Sequence, residues 1–403
     1  MRGLAVLYMI QLHTSHGWIR PELRHNCYWD AAQFFGGLAA PLFLFLAGAG
    51  LGLQWTAADA LAEEPRGATA RALARGFELI VLGYVLRLQM WIIDGAAYAR
   101  IETYPGIGFL AVGYGLALLC ISRIARGRAY ATKHALSAAA LSLAGIAWAY
   151  IFDPLRADGL IRVDVLQCIG ASLMLLSAIG ARSERRRPGY YIALAVSAAL
   201  ITPFAQRIVP GPLPSAIAGY LAQWPSADGA RVVSLFPLCP WLGFAALGVA
   251  VGLALGRAQT PTHIESLLLR LMTLGAVFAL LTNTSWPPLR SIALPEPIAA
   301  LLRLSYKAAL CCVMIGPALA LTHAPKAIRS PIALLGRSSL LVYWVHLQFA
   351  FGTVSRSLAR ALSIEAWAYG TAVLTACMLA LAALSNTRHA MTIRGLGRRP
   401  VTG

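Results

Sequence analysis

The chain has 403 residues, with 34 Lys and Arg against 16 Asp and Glu, for a formal net charge of +18. Hydrophobic residues make up 58% of it and charged ones only 12%, about half the ~25% usual in soluble domains, and the mean hydropathy is +0.66. A soluble enzyme is therefore excluded. A bilayer-crossing helix needs ~20 mostly apolar residues, and about twelve such stretches run along the chain.

The basic excess does not point to nucleic acid. The Lys and Arg residues sit in short connections between apolar stretches, where the positive-inside rule puts them, and no basic stripe with interleaved aromatics is present. The seven cysteines form no CxxC pair, so neither a disulfide framework nor a zinc site is supported and no metal is expected.

The opening residues place one Arg before an apolar run, as a signal peptide does. Thr14-Ser15-His16-Gly17-Trp18 is unlike a small-residue cleavage site, so the segment is read as a retained first span. Expected spans in chain order are 3–19, 31–54, 75–94, 106–124, 133–151, 161–181, 189–206, 236–255, 265–286, 298–322, 332–352 and 364–385. Lys and Arg favour the amino-terminal end, the even-numbered connections and the carboxyl tail by about two to one, which puts both termini in the cytoplasm. The fold class is thus all-α: a polytopic membrane bundle of about 12 transmembrane helices, one domain over 1–403 with a cytoplasmic tail at 386–403. Trp18, Trp29, Trp55, Trp91, Trp224 and Trp286 fall near span ends, as an aromatic belt would. The long outer connection 207–235 holds four prolines, and its middle, 215–224, is read as an interfacial turn. Pro41, Pro237 and Pro240 are expected to kink their spans and free backbone carbonyls.

An ionisable side chain inside a span costs ~2.5–3.5 kcal/mol on insertion scales and is a functional candidate by default. The first span carries Gln11, His13 and His16, and positions three apart share a helix face. His25 follows in the first outer loop. Imidazole titrates near neutrality, which suits general-base or nucleophilic work; interface histidines in contact with water are the alternative for His16 and His25. In the eleventh span Ser339, Tyr343 and His346 fall at i, i+4 and i+7, a polar stripe that faces protein or a watery cavity rather than lipid. Interhelical hydrogen bonding would also explain it. Arg87 lies inside the third span. Asp164, after Arg162, opens the sixth, and because buried charges are paired, Arg87 and Asp164 are expected partners. Arg303 and Lys307 sit where their stems can snorkel.

These stretches resemble the transmembrane acyltransferase superfamily, and most closely the heparan-α-glucosaminide N-acetyltransferase catalytic-domain family. The resemblance rests on residues 2–14, which open Arg2-Gly3-Leu4 and close on Gln11-Leu12-His13-Thr14, on 37–48 around Pro41, on Arg75-Gly76-Phe77-Glu78, on Arg162-Val163-Asp164, on 236–243 and on 336–346, which runs from Gly336-Arg337 to His346. It implies acyl transfer from cytoplasmic acetyl-CoA to an acceptor across the membrane. His13 stands where the family has an active-site polar residue after the Arg-Gly pair, and His25 resembles the family's catalytic histidine in the first outer loop. Residues 95–150 look like an addition of two spans.

The resemblance thus implies an acetyl-CoA-dependent enzyme, and the compact, tail-poor chain fits a bacterial inner membrane. His13 or His25 would be base or acyl carrier, and Arg2, Gln11, His16, Arg87, Arg162, Asp164, Arg337, Tyr343 and His346 would bind or support. The partners are the lipid bilayer, acetyl-CoA and a sugar or glycan, with homo-oligomer formation left open. The competing reading is a transporter or flippase of an amphipathic solute, which composition fits as well; against it, no inverted repeat is visible.

Overall fold

The computed structural model describes residues 1–61, 65–98, 162–208, 215–223, 234–258, 260–283 and 293–396. Regular structure among them is helical, apart from two isolated bridges, Ile19 with Leu362 and Val163 with Ser234. The helices are α1 Arg2–Trp18, α2 Cys27–Gly36, α3 Ala39–Ala60, α4 Pro65–Tyr98, α5 Val165–Ile179, α6 Pro188–Ile208, α7 Ser215–Leu221, α8 Leu238–Gly256, α9 Pro261–Leu281, α10 Glu296–Val313, α11 Ile315–His323, α12 Lys326–Arg337, α13 Ser339–Ala350 and α14 Ile364–Leu396.

Among the described residues six stretches are long and apolar enough to cross a membrane: Cys27–Ala60, Pro188–Arg207, Leu238–Gly256, Pro261–Leu281, Glu296–His323 and Ile364–Thr387. Several of them turn large apolar side chains outward, most of all α9 with Leu269, Leu274, Val277, Phe278, Leu280 and Leu281. Such a surface is stable only against lipid, and the chain is an integral membrane protein. The expected spans 106–124 and 133–151 lie outside the described residues, as do Trp224, Trp286 and all of the 95–150 addition beyond the end of α4.

Three expected spans prove to be interrupted. The second, 31–54, is α2 and α3 with a turn at Gly37 and Leu38. Asn26 starts α2 by accepting from the Trp29 amide at 2.9 Å, and the Gly37 amide closes it on the Gln33 carbonyl at 2.8 Å. Pro41 therefore sits in the first turn of α3, where a missing N–H is not needed, and begins a helix instead of kinking one. The tenth span breaks at Met314 and the eleventh at Ser338, between α12 and α13. α12 is amphipathic, with Lys326, Arg329 and Arg337 exposed. The 12 residues of α13 extend ~18 Å, too little to cross a ~30 Å core alone. The tail expected from residue 386 begins as the continuation of α14.

By their contacts the described helices fall into two groups. The first lies within 1–39, 88–98 and 321–396, with α1 packed on α2, α12, α13 and α14. The second lies within 40–87 and 162–320, with α8 packed on α5, α6, α7 and α10. In this second group α3 and α8 meet backbone to backbone: a methyl group on Gly48 would strike the Ala245 carbonyl, and one on Gly248 the Phe45 carbonyl. Small residues four apart allow that approach in a membrane bundle. Trp55 and Trp18 are buried, at 0% and 3% exposure, so they are packing residues and not members of an interfacial belt. Trp55 lies under the Arg186 guanidinium, 5.3 Å from ring centroid to Cζ. Arg186, in the short connection between α5 and α6, is 1% exposed and bonds Asp59 at 2.6 Å and the Gly180 carbonyl at 2.9 Å.

Candidate functional site

The first helix group brings together two of the histidines singled out in the sequence. His13 Nδ1 lies 2.8 Å from His346 Nε2, and the two rings are nearly parallel, with centroids 5.1 Å apart and a 10° interplanar angle. His346 is fully buried and its Nδ1 lies 2.7 Å from the Val342 carbonyl oxygen one turn earlier. His13 is the more accessible partner, half-buried, with the Phe351 ring set edge-on at 5.6 Å. Tyr343 presents its ring to His346 at 5.9 Å.

Glycine makes this approach of α1 and α13 feasible. One turn after His13, Gly17 meets the carbonyl of Ala350, itself one turn after His346, so closely that no Cβ fits. Further up α1, Gly3 meets the Ile332 carbonyl of α12 in the same way. Polar bonds add to this packing. Thr14 Oγ1 is 2.8 Å from Thr371 Oγ1 and accepts from Trp367 Nε1 at 3.1 Å. Trp18 Nε1 donates to the Phe349 carbonyl at 3.2 Å. Trp344, on the same helix as His346, donates to Gln89 at 2.8 Å. Sequence reasoning missed Gly17, Thr14, Phe351 and the Val342 carbonyl; only the glycine one helical turn beyond a histidine gave a hint.

The other first-group candidates are placed apart from this pair. Three residues along a helix amount to a ~60° offset, enough for His16 to turn to a different neighbour. It bonds Gln33 at 2.7 Å and stacks on Trp29 at 5.3 Å, both on α2. The two imidazoles of α1 therefore do not act together, contrary to the shared-face expectation. His25 is exposed between the turn Pro21–Leu23 and α2. Gln11 lines an open groove of about 480 Å³ with Trp367, Thr371 and Thr375 of α14. Arg2 and Arg337 are exposed, and each adjoins a glycine of one tight contact: a methyl group on Gly336 would lie 2.9 Å from the Gly3 nitrogen. Ser339 opens α13 and takes no part in the histidine contact.

In the second group the expected ion pair is formed. Arg87 Nε lies 2.7 Å from Asp164 Oδ2, with 18% and 21% of the two side chains exposed. Arg162 Nε stands 3.9 Å from the other oxygen. Asp164 is the residue before α5, and its amide donates to Gln167 Oε1 at 3.3 Å, so the two arginines hold a helix start. On α10 Arg303 is exposed and Lys307 half-buried. No group of three or more His, Cys, Asp or Glu that could hold a metal gathers among the described residues.

Helices with apolar outward faces, and a histidine pair packed within the first group, define a polytopic membrane protein with a titratable internal site. The family model for the heparan-alpha-glucosaminide N-acetyltransferase catalytic region matches residues 1–102 and 97–285. The chain belongs to that family, and membership implies an acyltransferase. The match includes His13, His25, Arg87 and Asp164, while His346 lies beyond it. No curated protein and no solved structure matches the chain.

Proposed function

We propose that the chain is a membrane-embedded acetyltransferase. It would lie in a bacterial cytoplasmic membrane as a bundle of about twelve spans with both termini inside. Acetyl-CoA enters from the cytoplasm, and the acceptor is a sugar amine or hydroxyl at the outer face. The observation that carries this reading is the His13–His346 pair: a half-buried imidazole bonded to a buried one, in a chain of an acetyltransferase family.

In this reaction the acceptor attacks the thioester carbonyl carbon while His13 takes its proton. The new N–C or O–C bond forms, the C–S bond breaks, and the thiolate leaves with that proton to become CoA. Removing the proton as attack proceeds is general-base catalysis, typically a contribution of ~10²–10⁴-fold. Arg2 and Arg337 are suited to the CoA phosphates: both are exposed, and they flank the same glycine contact at the start of α1. Eleven residues separate Arg2 from His13, ~16 Å along the helix, within reach of a pantetheine arm. His25, with His16, stands toward the other end of α1 and takes the acceptor side. Tyr343 packs His346 in place, and Arg87 with Arg162 and Asp164 braces α5.

The test is CoA release from acetyl-CoA by purified protein in detergent, with and without a panel of amino sugars, for wild type and His13→Ala. Acceptor-stimulated release that disappears in the variant is the expected result. No release, together with no thermal shift on adding acetyl-CoA, would reject enzyme action in favour of solute passage through the same polar site.

A further inference from the structure

We infer that His346 is a positioning residue: it fixes the tautomer of His13 so that His13 Nε2 is the bare nitrogen, and it shares the proton that His13 acquires. This rests on the acyltransferase reading for its catalytic meaning, although the wiring itself follows from geometry.

The argument starts at the far end of the chain of contacts. A carbonyl oxygen only accepts, so the 2.7 Å contact between His346 Nδ1 and the Val342 carbonyl requires a hydrogen on Nδ1. In a neutral imidazole the other nitrogen then carries a lone pair. His346 Nε2 is therefore an acceptor, and the 2.8 Å contact is filled by His13 Nδ1–H donating to it. His13 in turn keeps its lone pair on Nε2, the nitrogen remote from His346. The opposite polarity would need a cationic His346, fully buried, with no carboxylate bonded to either ring among the described residues. A charge buried without a partner is costly, so the resting pair is neutral and its two tautomers are set.

When His13 Nε2 accepts the acceptor's proton, His13 becomes an imidazolium whose Nδ1–H already points at His346 Nε2. That hydrogen is shared across the 2.8 Å contact, so part of the charge spreads toward the second ring, whose Nδ1–H the Val342 carbonyl accepts, without stranding a full cation there. The proton count is unchanged and the step reverses when the thiolate is protonated. The second imidazole and a backbone carbonyl thus do for His13 what a carboxylate does for the histidine of a hydrolase triad: orient the base and stabilise its charged form.

The test is ¹⁵N NMR of full-length protein carrying ¹⁵N-labelled histidine in detergent at neutral pH, with His13 assigned from the signals missing in His13→Asn. The expected result is a protonated Nδ1 and an unprotonated Nε2 on His13, and a loss of that single tautomer in His346→Phe. In turnover, His346→Phe should lower kcat by ~100-fold, at the lower bound of a general-base contribution, with KM for acetyl-CoA little changed. His346→Gln keeps an amide oxygen near the Nε2 position and should lose less than tenfold. A protonated His13 Nε2 in wild type overturns the inference, as does undiminished kcat in a folded His346→Phe. If no acetyl transfer is found at all, the NMR result still decides the wiring, so failure of the activity and failure of the wiring are distinct outcomes. If His346→Phe does not fold, the wild-type spectrum and His346→Gln decide.

Discussion

The helix group around α1 holds a contact between two imidazoles, read above as neutral, whereas the group around α8 holds one between Arg87 and Asp164, 2.7 Å apart. The charged pair is about one-fifth exposed and sits at a helix start, where solvent offsets part of its desolvation and its charge is already balanced. Nothing in it is waiting for a proton. The histidine pair includes a fully buried ring and no carboxylate bonds it among the described residues, so it rests neutral, with a lone pair still open to a proton. Packing differs in the same sense. Both groups pack glycine to backbone, at Gly48 and Gly248 between α3 and α8 and at Gly3 and Gly17 on α1, but α1 is tied in addition by Thr14, Trp367 and Trp18 through hydrogen bonds. Directional bonds hold one side chain in one orientation, as a reacting group requires.

If that division is right, substitutions in the two groups should fail differently. His13→Ala should lower acetyl transfer by ~10³-fold, within the range for a lost general base, and leave thermal unfolding in detergent nearly unchanged. Turnover near the wild-type level in that variant would remove the functional distinction. Arg186→Met should do the reverse. It leaves Asp59 and the Gly180 carbonyl without their donor and should cost about 2–4 kcal/mol of stability, below the full effect of breaking a buried pair because Asp59 is half-exposed. An unchanged melting temperature would show that the guanidinium is not holding the α5–α6 connection.

What could be read in advance follows from how far each feature is encoded locally. The Arg87–Asp164 pair was legible because a charge inside an apolar run demands a partner and few are on offer. His13 and His346 stood out individually for the same reason. Their meeting did not, since it depends on Gly17 letting α1 close on Ala350, across more than three hundred residues of chain. The breaks at Gly37 and Ser338 were hidden by uninterrupted hydropathy on both sides, which measures apolarity and not backbone geometry. At the first break the signals were present, in Gly36-Gly37 followed by Pro41 in the order of a helix end and a helix start. Arg186 shares a short connection with Arg182, Arg185 and Arg187, where the positive-inside rule gives only a side of the membrane, and nothing local marks it as the buried one.

Smaller effects sharpen the contrast. A double-mutant cycle on Arg87→Ala and Asp164→Ala should give a coupling of about 1 kcal/mol in unfolding, the scale of a partly exposed pair; strictly additive losses would mean that the ion pair contributes nothing of its own. His25→Ala should have the least effect. The side chain is exposed and stands apart from the His13–His346 contact, so its removal should leave kcat intact and raise KM for the acceptor by about threefold, as loss of binding alone does. A collapse of kcat in His25→Ala comparable to that in His13→Ala would move the base from the helix to the loop. The buried histidine pair would then be a packing contact, and the difference between the two helix groups would be one of structure only.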